Sequence, residues 1–148
     1  MPIDAPLVEV CRAECAALGR EPGLTMSRIG PMFLHVSDDP ERAWARIAPH
    51  ALHETNSYAQ WLASAGGGVY RPAEDADVLR AGGSYVVVTP QECVTLLTTL
   101  RQPGNDVVAL HPLRGGLDPR LGWESLELFA DKVLPALDGA RGDPPGEV

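Results

Sequence analysis

Imidazole and carboxylate side chains, the types that bind metals, cluster at His50, His53 and Glu54. A zinc site on a helix needs two ligands on one helix face and a third ligand from another part of the chain. The order H-x-x-H-E differs from H-E-x-x-H and from H-x-x-E-H, the two arrangements typical of helical zinc proteases. The pattern therefore favours an ordinary helix surface, and the sequence predicts no metal site.

Thiol and carboxylate side chains also occur at positions where nucleophilic or acid–base chemistry is conceivable. Cys93 falls in the first turn of a predicted helix, where the helix dipole lowers a thiol pKa, but no base is adjacent to it in the sequence. We therefore assign Cys93 to packing. The pair Asp38-Asp39 is explained as a helix cap, and the run Glu74-Asp75-Ala76-Asp77 as a solvated loop.

Three aromatic residues, Trp44, Tyr58 and Trp61, lie in one predicted helix. Such rings can form a platform for a ring-shaped ligand. Their helical spacing also suits packing against a sheet, and this is the interpretation that the periodicity favours.

The composition limits the classes of function. The chain has 148 residues, of which 45% are apolar, enough for one core and a single domain. Its formal net charge of −8 argues against nucleic acid and anionic membranes as partners. The cysteines are odd in number, no apolar run is as long as a membrane span, and the N-terminus lacks a signal-peptide pattern. We expect a cytoplasmic protein with reduced thiols.

Helical and strand-like periods alternate along the chain, with turn residues between them. The predicted elements are helix 5–19, strand 28–36, helix 40–66 with a kink or break at Pro49, strand 84–88, helix 90–101, strand 106–110 and helix 123–137. Residues 69–81 are interpreted as a surface loop with one helical turn and as a possible lid, 111–119 as a loop, and 139–148 as a disordered tail.

This alternation predicts an α/β fold with a mainly parallel sheet, because each helix carries the chain back over one face. Three strands make a narrow parallel sheet whose edges and one flank are unpaired. The sequence therefore predicts that part of the sheet is missing or is supplied by another chain.

Five segments, taken in order, carry a resemblance to a known family. They are G-R-E-P at 19–22, V-S-D-D-P-E-R-A-W at 36–44, P-H-A-L at 49–52 with Tyr58 and Trp61 after it, G-S-Y-V-V-V-T-P-Q-E at 83–92 and L-F-A-D-K-V-L-P-A-L at 128–137. Together they resemble the C-terminal half of luciferase-like monooxygenases, over residues 7–137. The resemblance implies a TIM barrel that uses FMN or the deazaflavin F420 for hydride transfer or oxygen insertion.

A complete (β/α)8 barrel needs about 250 residues. The resemblance therefore implies a partial TIM-type barrel at 1–138, with about three parallel strands, flanking helices and no N-terminal half. Barrel active sites gather at the carboxyl ends of the strands. The end of the last strand carries His111, Arg114, Gly115 and Gly116, which the resemblance implies as a rim for a flavin phosphate or ring edge. The alternative, favoured by the residues alone, is that Gly115-Gly116 only turns the chain and Arg114 is solvated.

Two functions follow. The first is a fragment or subunit of an F420- or FMN-dependent luciferase-like oxidoreductase, acting on a small organic substrate once a complementary barrel half or a second copy completes it. The alternative is a non-catalytic truncated paralogue that acts as an oligomerisation or interaction module. No catalytic residue is assigned, because no complete catalytic set is visible. We expect self-association, since a missing barrel half leaves an apolar face uncovered.

Overall fold

The computed structural model describes residues 5–21, 30–64, 66, 70–100 and 108–139. Within these ranges, helices alternate with two short strands, and the predicted α/β class is confirmed. The elements are α1 (Ala5–Ala17), β1 (Phe33–Val36), α2 (Pro40–Ala63), α3 (Ala76–Ala81), β2 (Tyr85–Val88), α4 (Pro90–Leu100), a 3₁₀ turn (Arg114–Gly116), α5 (Pro119–Leu128), a π-helical turn (Phe129–Val133) and α6 (Leu134–Gly139).

The strands β1 and β2 form a parallel pair, in register from Phe33 opposite Tyr85 to Val36 opposite Val88. Both strands were predicted. The first is shorter than predicted: Gly30 has a φ of 99°, which interrupts extended backbone, and β1 has only the four residues Phe33–Val36. The third predicted strand, 106–110, lies partly outside the described residues. Of the rest, Val108 makes a single bridge and residues 109–110 have no regular structure, so the described chain has two strands and not three.

Side chains alternate between the two faces of this pair, and each face packs against a different helix. Phe33, Tyr85 and Val87 join Trp44 and Ile47 of α2 in one core. Leu34 and Val36 join residues of α4 and of the π-helical turn in the other core, namely Cys93, Leu97, Phe129 and Val133. Helices therefore cover both faces, as is usual for parallel strands. In a (β/α)8 barrel the helices cover only the outer face, so the described residues do not show the predicted partial barrel.

The edge of β1 that faces away from β2 is closed by a side chain. The N–H groups of Phe33 and Ser37 donate to the backbone of the β2 side, so the N–H of Val36 points to the opposite edge. There it donates to the Oγ of buried Ser125 at 2.8 Å. Helix α5 thus satisfies a backbone donor that another strand would otherwise pair with.

Capping side chains start the helices that follow the strands, as predicted. Asp39 accepts a hydrogen bond from the Arg42 N–H at 3.1 Å, with Pro40 in the first turn of α2. Before α4, Thr89 and Glu92 form a capping box, in which the Thr89 N–H donates to Glu92 at 2.8 Å and the Glu92 N–H donates to Thr89 at 3.3 Å. This local chemistry can be read from adjacent residues.

Two predicted helix bounds need correction, and the last helix contains a turn that was not predicted. Helix α2 runs without a break through Pro49, because the carbonyl that loses its donor belongs to exposed Ala45 and can bind water. The last helix begins at Pro119 and not at 123, because Asp118 caps it by accepting from the Arg120 N–H at 2.9 Å. It also contains the π-helical turn, which no periodicity indicated.

The segment predicted as a loop or lid is fastened to α2. Its predicted helical turn is α3, capped by Asp75. Ahead of it, the side chain of Asn56 makes two hydrogen bonds with the backbone of Ala73, both at 2.9 Å. These contacts anchor residues 70–81, in contrast to a free lid. The predicted tail beyond residue 139 lies outside the described residues, and within them no helix is long and apolar enough to cross a membrane.

Candidate functional site

The parallel strands give the molecule two chemically different ends. Strand β1 begins after Met32 and ends before Ser37, and β2 ends before Thr89. In parallel α/β folds, ligands bind at the carboxyl ends of the strands, whereas the amino ends mainly stabilise the fold. The carboxyl end is therefore where a ligand site is expected first.

An open cleft of about 380 Å³ lies at this carboxyl end, and we call it the carboxyl-end cleft. It is lined by Ser37, Asp38, Asp39, Arg42, Glu124, Glu127, Leu128, Asp131 and Lys132. Carboxylates outnumber basic side chains five to two in this lining. The resulting negative potential repels an anionic phosphate such as the tail of a flavin. The described residues of the cleft therefore do not fit that part of the cofactor.

Charges in the carboxyl-end cleft pair with near neighbours in solvent. The Nζ of Lys132 donates to Asp38 at 3.0 Å, and the two side chains are 50% and 68% exposed. Asp39 is used as the cap of α2 and lies 3.6 Å from the Arg42 guanidinium. Among the described residues, no group of three histidine, cysteine or acidic side chains converges where a metal ion could bind.

At the opposite end, the guanidinium of Arg114 is the centre of a buried network. Its Nε donates to Glu54 Oε1 at 2.6 Å, its Nη1 donates to the Met32 carbonyl at 2.7 Å, and its Nη2 donates to the Tyr70 hydroxyl. The Arg114 and Glu54 side chains are only 13% and 9% exposed. Because Met32 directly precedes β1, this network joins the 3₁₀ turn and α2 to the amino end of the strands. We call it the amino-end network.

Two tyrosines and a threonine enclose this ion pair. Burial raises the pKa of Tyr70 and of Tyr85, so both phenols are protonated at neutral pH. The Tyr85 hydroxyl lies 3.1 Å from Thr55 Oγ1 in a hydrogen bond. Burial opposes the charge on Arg114, but the hydrogen bond and the charge of Glu54 outweigh it and raise the pKa of Arg114 above its ordinary value. Arg114 is therefore charged in this network, with a hydrogen bond to the hydroxyl of Tyr70 as well as to Glu54.

One polar atom of the network has no partner among the described residues. Glu54 accepts from Arg114 through Oε1, whereas its Oε2 is buried and receives no hydrogen bond. A buried carboxylate oxygen without a donor costs about 1–3 kcal/mol. The ion pair therefore contributes less stability than a fully satisfied one of the same geometry.

The four residues predicted as a cofactor rim are not at the carboxyl ends of the two strands. Arg114 extends to the amino end and its side chain is only 13% exposed, so the alternative of a solvated side chain is wrong. His111 is exposed, and its carbonyl accepts from the Arg114 N–H at 3.3 Å. Gly116 is exposed with a φ of 78°, and a Cβ there would meet no atom within 4 Å.

Gly115 has a packing role against α2. A Cβ at Gly115 would lie 2.5 Å from the backbone oxygen of His50, and its φ of 63° is also unfavourable for other residues. The His50 Nδ1–H donates to the Gly115 carbonyl at 3.0 Å. The close approach predicted for this glycine is therefore an approach to a helix, and its turn chemistry is confirmed.

The H-x-x-H-E cluster is divided between separate roles. His50 binds the 3₁₀ turn, His53 is exposed and Glu54 pairs with Arg114. The sequence carried a signal for the buried carboxylate, because Glu54 continues the helix stripe of Ile47 and Ala51, both buried. A carboxylate on an apolar stripe needs a cationic partner, but periodicity does not say which arginine provides it.

The aromatic residues of α2 also differ from each other. Trp44 is 5% exposed and packs in the core as predicted, whereas Tyr58 and Trp61 are 40% and 63% exposed, so the packing prediction is wrong for these two. Helix α2 has 24 residues, or roughly 36 Å, whereas four-residue strands span roughly 13 Å. The second half of α2 therefore extends past the sheet, where Tyr58 stacks on Tyr70 at 4.8 Å.

Two further titratable groups are fully enclosed. Cys93 is 0% exposed, and burial raises its pKa to about 11, which confirms a packing role. His35, in β1, is 2% exposed and stacks on Phe33. Burial and then the charge of Arg46 lower the pKa of His35 to about 4, so it is neutral at pH 7. Nothing in the residue pattern singles out His35, because it lies inside an apolar run.

Comparison with known proteins returned no match to this chain, whether with protein-family models, curated proteins or solved structures.

Proposed function

We propose that this chain is a fragment or subunit of a luciferase-like oxidoreductase that uses F420 or FMN, and that it acquires a cofactor site only with further strands. The observation that carries the proposal is the width of the sheet. Among the described residues, the sheet has two parallel strands of four residues each, fewer than parallel sheets in α/β proteins normally contain. An incomplete sheet is the expected state of a unit whose partner is absent.

The strand-to-helix junctions support the same proposal. Each strand is followed within three residues by a capping residue and then a proline, Asp39-Pro40 after β1 and Thr89-Pro90 after β2. These junctions belong to segments that resemble the family, and they are the repeated unit from which (β/α)8 barrels are built. Chemistry on the flavin is hydride transfer or oxygen insertion, which the cofactor supplies.

The chain's own residues account for little of the flavin recognition. Arg114 is engaged by Glu54 and Tyr70, and the carboxyl-end cleft is acidic. Only His111 and the Gly116 backbone remain exposed from the predicted rim. Positive charge for a cofactor phosphate must therefore come from the complementary part. Barrel closure would also need α4 to leave its face of the sheet and Ser125 to release Val36.

A second candidate is a non-catalytic interaction module, and one observation favours it. The outer edge of β1 is already satisfied by Ser125, and helices cover both faces of the strands. These contacts describe a chain that folds around its own helices without a barrel. Its exposed aromatic residues, Tyr58, Trp61 and Trp123, are then the candidates for partner contacts.

Complementation tests the first proposal against the second. The chain is mixed with an N-terminal half of a luciferase-like oxidoreductase, and size and flavin absorbance of the complex are measured together. The proposal predicts a one-to-one complex that retains FMN or F420. The variant Ser125→Ala removes the hydrogen bond to the β1 edge and is expected to increase the yield of this complex. If neither the unchanged chain nor the Ser125→Ala variant forms a complex, the result contradicts the proposal and favours the interaction module.

A further inference from the structure

Helix α1 carries two thiols on one accessible face. Cys11 and Cys15 are one helical turn apart, a spacing that brings their Cβ atoms within about 5–6 Å. From residue 9 to 21 every described side chain is exposed, apart from half-buried Cys15. Val10 and Leu18, for example, are 58% and 68% exposed. The thiols are therefore open to solution, unlike buried Cys93.

The two thiols also lie close enough on α1 to influence each other. Desolvation and then the charge of the neighbouring Cys11 thiol raise the pKa of Cys15. Two thiolates side by side repel each other, so the pair resists losing both protons in water alone. A centre that binds both sulfurs removes this repulsion.

The surroundings of the pair decide which centre fits. Structural zinc needs four ligands, and the described residues provide no group of three ligand-type side chains. Of the charged groups on α1, Arg12 and Glu9 form an ion pair at 3.0 Å. Thiolates select soft centres, and some of these accept two sulfur ligands.

We propose that Cys11 and Cys15 form a two-thiolate binding site on α1 for a soft, thiophilic centre, either an organic trivalent arsenical or a monovalent copper ion. With phenylarsine oxide, hydrated as its dihydroxide, two S–H bonds and two As–O bonds break. Two As–S bonds form and two waters leave, without oxidation or reduction. With copper, the ion replaces one or both thiol protons, which pass to solvent.

Occupation of the site has a structural consequence. An isolated helix of 13 residues is marginally stable in water, and the described side chains of α1 are too exposed to gain much from packing. A bridge between residues four apart fixes one turn of the helix. Binding is therefore expected to slow hydrogen exchange of the α1 amides.

The full chain is titrated with phenylarsine oxide, and the stoichiometry, affinity and mass of the complex are measured under reducing conditions. We expect each complex to contain one arsenic atom and one protein chain. Because two-point attachment raises affinity through effective concentration, Cys11→Ser and Cys15→Ser are each expected to bind at least about a hundredfold more weakly. Cys93→Ser is the matched control and is expected to bind like the unchanged chain.

A second titration uses copper(I) in competition with a copper chelator. If the chain binds one probe more tightly than the other, the preferred probe identifies the kind of centre that the site takes. A preference for copper and a preference for the arsenical both support the site. Three results overturn it: equal affinity of the single-cysteine variants and the unchanged chain, two chains per bound centre, or no binding of either probe. Unchanged α1 hydrogen exchange on binding would also contradict an intrahelical bridge.

Discussion

The two ends of the β1–β2 pair contain similar residue types in opposite environments. At the amino end, the Glu54–Arg114 pair is about nine-tenths buried, and Arg114 makes three side-chain hydrogen bonds. At the carboxyl end, the Asp38–Lys132 pair is at least half exposed and bounded by further carboxylates. An arginine beside two glycines in the sequence is therefore weak grounds for expecting a ligand rim, because burial decides whether a charge pairs within the fold or stays available to a ligand.

The largest expected effect is at the amino-end network. Glu54→Leu leaves the Arg114 charge buried without its partner, so it is expected to lower the free energy of unfolding by about 3–5 kcal/mol. Urea unfolding measures the change. The double variant Glu54→Leu/Arg114→Leu removes both charges and is expected to be more stable than the single variant. If Glu54→Leu costs less than 1 kcal/mol, the network does not hold the amino end together.

Acidification is expected to destabilise the fold by protonating His35, which lies in β1 between the amino and carboxyl ends of the strand pair. Its folded pKa of about 4 lies below the ordinary value of 6.5, so its neutral form stabilises the fold above pH 6.5. This contribution, on the order of 3 kcal/mol, is lost as the pH falls from 6.5 to 4. The difference in unfolding free energy between pH 7 and pH 4.5 is expected to be smaller for His35→Phe than for the unchanged chain. An identical pH dependence would show that His35 does not titrate in this range.

The two glycines of the 3₁₀ turn provide a matched pair. Gly115→Ala places a Cβ against the His50 backbone at a positive φ, and is expected to destabilise by about 2 kcal/mol or more. Gly116→Ala has the same backbone cost but open space around it, and is expected to cost about 1 kcal/mol. Thermal unfolding of both variants checks the order. Equal effects would mean that the approach to α2 is looser than described.

The smallest expected effect is at the carboxyl-end cleft. Lys132→Ala removes an exposed ion pair and is expected to change stability by less than about 1 kcal/mol, with a smaller change at high salt. The same urea experiment as for Glu54→Leu gives a direct comparison of the ends. A loss as large as that of Glu54→Leu would remove the contrast between them.

Local signals in the sequence predicted much of the fold, whereas distant pairings were beyond them. The pairs Asp39-Pro40 and Thr89-Pro90 predict where α2 and α4 begin, because a capping side chain accepts its hydrogen bond from a backbone N–H within three residues. The Glu54–Arg114 pair joins residues 60 positions apart, and no periodicity identifies such partners. For the same reason, the sequence predicted a helix between the strands but not which face of the sheet each helix would cover.

The proposed function requires that a single copy of this chain holds no flavin and needs a complementary part. Size-exclusion chromatography with light scattering tests this requirement on the purified chain with FMN or F420 added, while absorbance is followed at flavin wavelengths. We expect a protein peak without cofactor, because the carboxyl-end cleft is acidic and Arg114 is engaged. Co-elution of either cofactor with a monomer of this chain would contradict it, whereas co-elution with a defined dimer would identify a second copy as the complementary part.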